Sequence, residues 1–385
     1  MKKKISILLS AALVLTMLSA CSRNNAASES TATPASIPQT GPMTINAKIP
    51  DKAILDKGPF GEQGVSAKTL SLSEQDIAKI KEGKYTAAIV FHTTGSDYMN
   101  AQLAALKAGF ERLGIKVIAT TDAQFSSEKQ VSDIETVLAK KPDIIVSVPV
   151  DPVSTASAYK KAVEQGVKLV FMDGVAQGLQ PGKDYISLVS GDNAGNGVEA
   201  ANIMGEKLKG GKKKVGMVYY DADFFVTNQR DEAFEKTIKE KYPDIEIVAK
   251  SGFAKPNDAE KVAAAMLTKY PDLDGMYLSW DVPAEGAVAA ARTAGANKLV
   301  ITAVDLGKNV AIEIGSNGFV KGVGAQLPFD QGIAEVILSG YALLGKKAPS
   351  YITSPALQVT HENLIDSWKL IYGVEAPKVV KDSVK

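Results

Sequence analysis

From Tyr85 onward, short runs of β-branched and aliphatic residues alternate with longer stretches of helical period, and that alternation restricts the chain to few architectures. Ala87 to Phe91 predicts a first strand and Asp97 to Leu113 a first helix, with Leu103, Leu106 and Phe110 at helical spacing. Ile115 to Ala119 repeats the strand signal. A helix from Ser127 to Lys140 follows, opened by a serine cap with Glu128 in its first turn. Strands are then expected at Asp143 to Val148 and Val167 to Met172, with a helix from about Val153 between them. Such βα units pair their strands in parallel and bury both faces of the sheet. The rhythm restarts after Gly210-Gly211, with strand candidates at Lys214 to Tyr219, Glu246 to Ala249, Gly275 to Leu278, Leu299 to Ala303 and Val320 to Gly324. The reading is α/β, with two doubly wound parallel-sheet halves, which also suits a chain longer than a single core usually supports.

In open sheets of this kind the ligand crevice forms at the carboxyl ends of the strands, so the residues just after each strand carry the functional signal. They are His92-Thr93-Thr94-Gly95-Ser96-Asp97-Tyr98, Pro149-Val150-Asp151, Asp173-Gly174, Tyr220 to Phe225, Trp280-Asp281, Asp305 and Gln326, with Arg230 a little further on. Carboxylates, an amide and aromatic faces recur. Acids and amides pair with hydroxyls while flat rings cover the apolar face of a sugar, so the set suits a polyhydroxylated ligand better than a phosphate or a dinucleotide. Other polar residues have structural readings: Asp192 and Asp281 as helix caps, Trp368 as packing, and His92 as a cleft-lining or packed residue.

Several function classes are excluded by what is scarce. The two histidines, His92 and His361, are far apart and give no metal cluster, and Cys21 is the only cysteine, so neither disulfides nor a thiolate site are expected. No Walker A sequence occurs, and Gly191 to Gly197 lacks the dinucleotide spacing, so no cofactor is expected. Lys plus Arg is 44 against 43 acids; removing Met1 to Ala20, which holds three lysines and no acid, leaves 41 against 43. A near-neutral chain without a basic stripe is a poor nucleic-acid binder.

The amino-terminal end reads as an export signal, with Lys2 to Lys4 ahead of an apolar stretch from Ile5 to Leu18. Leu18-Ser19-Ala20-Cys21 resembles a bacterial lipobox, which implies residues 1–20 as a lipoprotein signal peptide and lipidation at Cys21. Several acyl chains would anchor the protein stably to the outer face of the cytoplasmic membrane, or to the periplasmic side of a Gram-negative envelope. Residues 21–42 are expected to form a disordered tether, being rich in Ser, Ala, Thr, Asn and Pro. Residues 43–84 form an N-terminal extension, in which Leu72, Ile77 and Ile80 predict a short amphipathic helix.

Five stretches, in order and spacing, carry a family resemblance: Gly191-Asp192-Asn193, Asn228 to Phe234, Tyr270-Pro271-Asp272 leading to Trp280-Asp281, Ala303-Val304-Asp305, and Ala325-Gln326-Leu327-Pro328. From about Tyr85 to Thr360 the chain resembles the sugar-binding proteins of the type I periplasmic-binding-protein superfamily, the ribose- and galactose-binding group of ABC importers. The resemblance implies two lobes, residues 85–191 plus 327–350 and residues 192–326 plus 351–385. They would be joined by crossovers near Gly191-Asp192, Gln326-Leu327 and Ala348 to Tyr351 and close by hinge motion on a ligand. It further implies ligand contacts at Ser96, Asp97, Tyr98, Asp173, Phe224, Arg230, Phe253, Trp280, Asp305 and Gln326, no catalysis, a small neutral carbohydrate ligand, an ABC permease partner and a monomer. Ribose binders carry Asp-Arg where this chain has Asp173-Gly174, and an amide where it has Trp280, which argues for a different hydroxyl pattern, since an unmatched buried polar group costs roughly 1 to 3 kcal/mol. Alternative readings are a receptor feeding a sensor kinase or chemoreceptor, a nucleoside binder, and a glycosidase with paired carboxylates, whose defined separation cannot be read from sequence.

Overall fold

The computed structural model describes residues 37–384, so the expected signal peptide, Cys21 and the tether up to residue 36 lie outside the described residues. The rest of the expected tether differs from its reading. Ile37 is buried, and the Arg112 guanidinium donates to the carbonyls of Thr40 and Gly41, so residues 37–42 lie against the first lobe. The extension follows as strands β1 (Met43–Thr44), β2 (Val65–Ser66) and β3 (Ser71–Leu72) and helix α1 (Glu74–Glu82). A capping box of Ser73 and Asp76 starts α1, and its Ile77 and Ile80 are buried.

The first lobe then alternates as the pattern predicts: β4 (Thr86–Phe91), α2 (Asp97–Arg112), β5 (Lys116–Asp122), α3 (Ser127–Leu138), β6 (Ile144–Ser147), α4 (Ala156–Glu164), β7 (Lys168–Met172) and β8 (Leu188–Gly191). The chain crosses into a second lobe of α5 (Asn193–Lys207), β9 (Lys213–Tyr220), α6 (Phe225–Lys241), β10 (Ile245–Phe253), α7 (Ala259–Lys269), β11 (Gly275–Leu278), α8 (Asp281–Thr293), β12 (Val300–Val304), α9 (Lys308–Gly315) and β13 (Val320–Ala325). It returns through α10 (Pro328–Leu344) and β14 (Tyr351–Ser354), then ends in the second lobe with β15 (Leu357–Thr360), α11 (Leu364–Tyr372) and α12 (Lys378–Ser383).

Two sheets result. The seven-stranded sheet runs β2-β14-β8-β7-β6-β4-β5, every pair parallel; the six-stranded sheet runs β10-β9-β11-β12-β13-β15, parallel except for β15 against β13. Residues 144–147 of β6 and 300–304 of β12 are buried throughout, as strands covered by helices on both faces must be. The chain passes between the two large sheets at Asp192 and at Gln326-Leu327. The third passage differs from its expected place. Tyr351–Ser354 pairs with Leu188–Gly191, so it belongs to the first lobe, and the crossing falls at Pro355-Ala356, where proline ends the ladder. The extension adds β2 to the outer side of β14 and lays Leu72 and Ile80 on α10, where an added Cβ on Gly340 would stand 2.8 Å and 3.0 Å from them. Among the described residues, no helix is long and apolar enough to cross a membrane.

Candidate functional site

Asp173 and Asp305 are presented in the same way. Each follows a strand, β7 or β12, and each gives its N–H to the neighbouring strand, to Val189 O at 2.9 Å and Gly324 O at 3.0 Å. Each also has left-handed backbone, φ +50° for Asp173 and +67° for Asp305. That region is uncommon for a side-chain-bearing residue, aspartate being among the more tolerant, and such strain concentrates at functional sites.

The two carboxylates are linked through both lobes by a ring of polar groups, each within hydrogen-bond distance of the next. Asp173 accepts from Ser190 Oγ at 2.7 Å and lies 2.8 Å from the Tyr98 hydroxyl, which also stands 3.0 Å from Gln331 Oε1 and, with one proton, donates to one of them at a time. Gln331 Nε2 donates to Gln326 Oε1 at 3.2 Å, and Gln326 Nε2 to Asp305 Oδ1 at 2.9 Å. Arg230 Nη1 reaches Asp305 Oδ2 at 3.4 Å and Ser279 O at 3.1 Å. Its Nε and Nη2 both reach Asn193 Oδ1, and Asn193 Nδ2 returns to Ser190 Oγ at 2.9 Å. Gln102, one helical turn beyond Tyr98, donates to the Tyr98 hydroxyl at 2.8 Å.

Burial sets the electrostatics. It pushes the carboxyls of Asp173 and Asp305 above the usual carboxylate range, opposed at Asp173 by hydrogen bonds from Ser190 and Tyr98 and at Asp305 by the Arg230 guanidinium. Burial also works against charge on Arg230, but the surrounding acids, Asp305 foremost, hold its pKa above the ordinary value. Asp231, beside Arg230 on α6, is pushed up to about 6 by burial despite bonds from Ser279 and Tyr277. On α10, one turn beyond Gln331, the buried Glu335 carboxyl has no partner among the described residues, and burial drives it well above the usual range.

An aromatic wall adjoins the ring in the second lobe. The Trp280 ring meets Phe253 at 5.1 Å and Tyr220 at 5.4 Å, both edge-to-face, and Tyr220 continues to Phe224 at 6.4 Å. Phe224 stacks at 6.2 Å on His92 of the first lobe, and burial depresses the His92 imidazole to about 4. Across the same gap Lys308 N donates to Asp97 at 2.6 Å. The lobes thus meet through Asp97, His92 and the polar ring, which describes a closed cleft.

The candidate residues divide by what they touch. Tyr98, Asp173, Arg230, Asp305 and Gln326 share the ring; Trp280, Phe224 and Phe253 share the wall, with Phe253 itself buried. Ser96 caps α2 by accepting from Met99 N at 3.1 Å, and Asp97 is the interlobe acceptor already described. Asp192 caps α5 through Gly195 N. Asp281 differs from its reading as a cap. Trp280 occupies the cap position without a side-chain bond, while Asp281 is the first helical residue and its buried carboxylate accepts from Val282 N at 2.8 Å. Trp368 is packed against Tyr372 and shares no ring contact with the wall residues. Sequence reasoning missed Ser190, Asn193, Gln331 and Gln102; only the spacing of Gln102 from Tyr98 offered a local signal. Among the described residues no His, Cys, Asp and Glu group is placed to hold a metal ion.

Comparison with known proteins matches the family described as periplasmic binding protein domain over residues 87–347. The ribose import binding protein of Bacillus subtilis is 30% identical over 207 residues, covering 52% of this chain and 65% of that relative, so the alignment spans just under two thirds of the relative's length. An ABC transporter solute binding protein from Agrobacterium vitis, solved with α-D-tagatopyranose, superposes with a TM-score of 0.69 at 23% identity, over 75% of this chain and 99% of that one. A periplasmic solute binding protein from Actinobacillus succinogenes, solved with D-allose, gives 0.66 at 25% identity over 74% and 100%.

Proposed function

The chain belongs to the periplasmic binding protein domain family, a family of transport receptors rather than enzymes, and from that premise we propose that it captures a sugar or polyol between its lobes and delivers it to an ABC importer. The observation that carries the reading is the ring of donors and acceptors between two strained aspartates, set against Trp280. A sugar hydroxyl is both donor and acceptor, so it can enter between Arg230 and Asp305, or between Tyr98 and Asp173, and satisfy both sides. An indole face covers the C–H side of the same ring. In this reading Tyr98, Asp173, Arg230, Asp305 and Gln326 bind hydroxyls and Trp280 stacks. Phe224 and Phe253 shape the wall, Ser96 and Asp97 border the cleft, and Cys21 carries the lipid anchor. The similarity to a ribose import protein and to receptors solved with D-allose and α-D-tagatopyranose supports a monosaccharide-sized ligand. Gly174 in place of an arginine argues for a sugar other than ribose.

A thermal-shift screen of the chain against D-ribose, D-allose, D-tagatose, hexoses, polyols and nucleosides tests it. A ligand at 100 times its dissociation constant adds about 2.7 kcal/mol, enough to move the midpoint by degrees. A shift by one sugar or polyol is the expected result; a shift by nucleosides alone would overturn the ligand class.

A further inference from the structure

The family domain begins at residue 87, yet the segment ahead of it reaches the hinge. Leu55 and Asp56 give their backbone N–H groups to the Asp192 carboxylate at 3.1 and 3.0 Å. In return the Asp56 carboxylate accepts from Asn193 N at 2.7 Å, Ala194 N at 2.5 Å and the Tyr351 hydroxyl at 2.9 Å. Asp56 is 0% exposed, so water does not compete for these bonds. Two of its donors are first-turn N–H groups of α5, which have no partner within the helix and favour an anion there. The same segment holds both lobes: Asn46 N donates to Asp330 on α10 at 3.0 Å and β2 pairs with β14, while Lys52 reaches Glu199 on α5 at 2.8 Å and Gln229 on α6 donates to Lys57 O at 2.9 Å.

Asn193 is where this contact meets the cleft. Its backbone is fixed by Asp56, and its side chain joins Arg230 of the second lobe to Ser190, the partner of Asp173, in the first. We propose that Asp56, brought to the hinge by the N-terminal extension, is a positioning residue for the sugar site, aligning through Asn193 the arginine and the aspartate that face each other across the cleft. This rests on the receptor reading above. Asparagine at position 56 would retain one acceptor for two converging N–H groups and set its own NH₂ against the other. The first turn of α5 would then shift, and the Asn193 amide with it.

The test uses the full-length chain carrying Asp56→Asn, beside Ile77→Ala as a control that removes packing from α1 without touching α5. Calorimetric titration is run well below both melting midpoints, with whichever of D-allose, D-tagatose or D-ribose shifts the unaltered chain. Asp56→Asn is expected to raise Kd at least tenfold while Ile77→Ala stays within twofold, even where both lower the midpoint. An Asp56→Asn value within twofold of the unaltered chain overturns the proposal. A second measurement needs no sugar: spin labels at Val153→Cys and Ala222→Cys, one on each lobe, in a Cys21→Ser background. Asp56→Asn should broaden their distance distribution, and an unchanged distribution counts against the role of Asp56 even if no sugar in the panel binds. Absence of sugar binding by the unaltered chain, with a broadened distribution in the variant, would instead reject the receptor reading and keep Asp56 as the hinge-positioning residue.

Discussion

Replacing Asp305 by asparagine isolates the charge at the centre of the site. Asparagine tolerates the left-handed φ of +67° as aspartate does, so the backbone is not a confounding term. What changes is the acceptor set. Asp305 accepts from Arg230 Nη1 on one oxygen and from Gln326 Nε2 on the other. In Asp305→Asn one of those oxygens becomes an NH₂ facing a donor. Rotating the Gln326 amide moves the conflict to Gln331, and rotating Gln331 moves it to Gln102, whose buried Oε1 has no partner to lose. That last rotation only exchanges an acceptor already unmatched in the unaltered chain for an unmatched NH₂; what the folded state loses is the anion paired with the buried Arg230 charge, about 3–5 kcal/mol, which lowers the melting midpoint by several degrees. Sugar binding also loses a charge-assisted hydrogen bond, worth about 1.5–3 kcal/mol, or roughly 10- to 150-fold in Kd. Calorimetric titration of both chains with the sugar found in the screen measures this directly. A Kd within threefold of the unaltered chain, at normal stability, would refute Asp305 as a ligand acceptor.

Trp280 and Trp368 are the only tryptophans, and Trp368 is packed at Tyr372, so a sugar-induced change in fluorescence should disappear in Trp280→Phe, with about a 2- to 10-fold weaker Kd. His92 is depressed from 6.5 to about 4, which keeps it neutral in the folded chain while the unfolded chain takes up a proton below pH 6.5. Its contribution is therefore present above pH 6.5 and lost as the pH falls toward 4. Urea unfolding at pH 7 and pH 4.5 should show the unaltered chain losing about 2 kcal/mol more than His92→Phe, an equal loss refuting the assignment. Cys21→Ser should move the protein from the membrane fraction to the soluble fraction of its host, and retention in the membrane fraction would remove the lipid anchor from the reading.

The fold was legible because parallel sheets buried on both faces leave a continuous apolar signature, as in Ile144–Ser147 and Gly275–Leu278. Strand ends then marked Tyr98, Asp173, Trp280, Asp305 and Gln326, since a carboxyl-end loop follows each strand whatever its tertiary partners. Tyr351–Ser354 was harder, because a short β-branched strand carries no sign of which sheet it joins; pairing with Leu188–Gly191 over long sequence separation decides it. Ser190 and Asn193 were hidden for a related reason. One lies inside a strand and the other opens a helix, and their polar atoms matter only because Asp173 and Arg230 arrive from elsewhere. The extension was the least legible part. Leu55 and Asp56 sit in a run without periodicity, and their role depends on two N–H groups of a helix that begins far along the chain.

The two lobes repeat one strand order, and this explains why the site holds a matched pair of acids. Read from the outer edge, β5-β4-β6-β7-β8-β14 corresponds to β10-β9-β11-β12-β13-β15, so Asp173 and Asp305 follow equivalent strands, each the fourth of its lobe in chain order. Equivalent positions carry the same residue, the same ladder hydrogen bond and the same sign of φ. Closing the lobes brings the two buried carboxylates toward one another, and their repulsion contributes to raising Asp173. Arg230 is the charge that offsets this: it is 3% exposed, it bonds Asp305, and through Asn193 and Ser190 it is linked to Asp173. A neutral sugar inserted between these groups exchanges one set of hydrogen bonds for another without changing the charge balance. An anionic ligand would add a third negative charge beside one cation. The geometry therefore favours a neutral polyhydroxylated ligand, with Arg230 as the charge that offsets both aspartates.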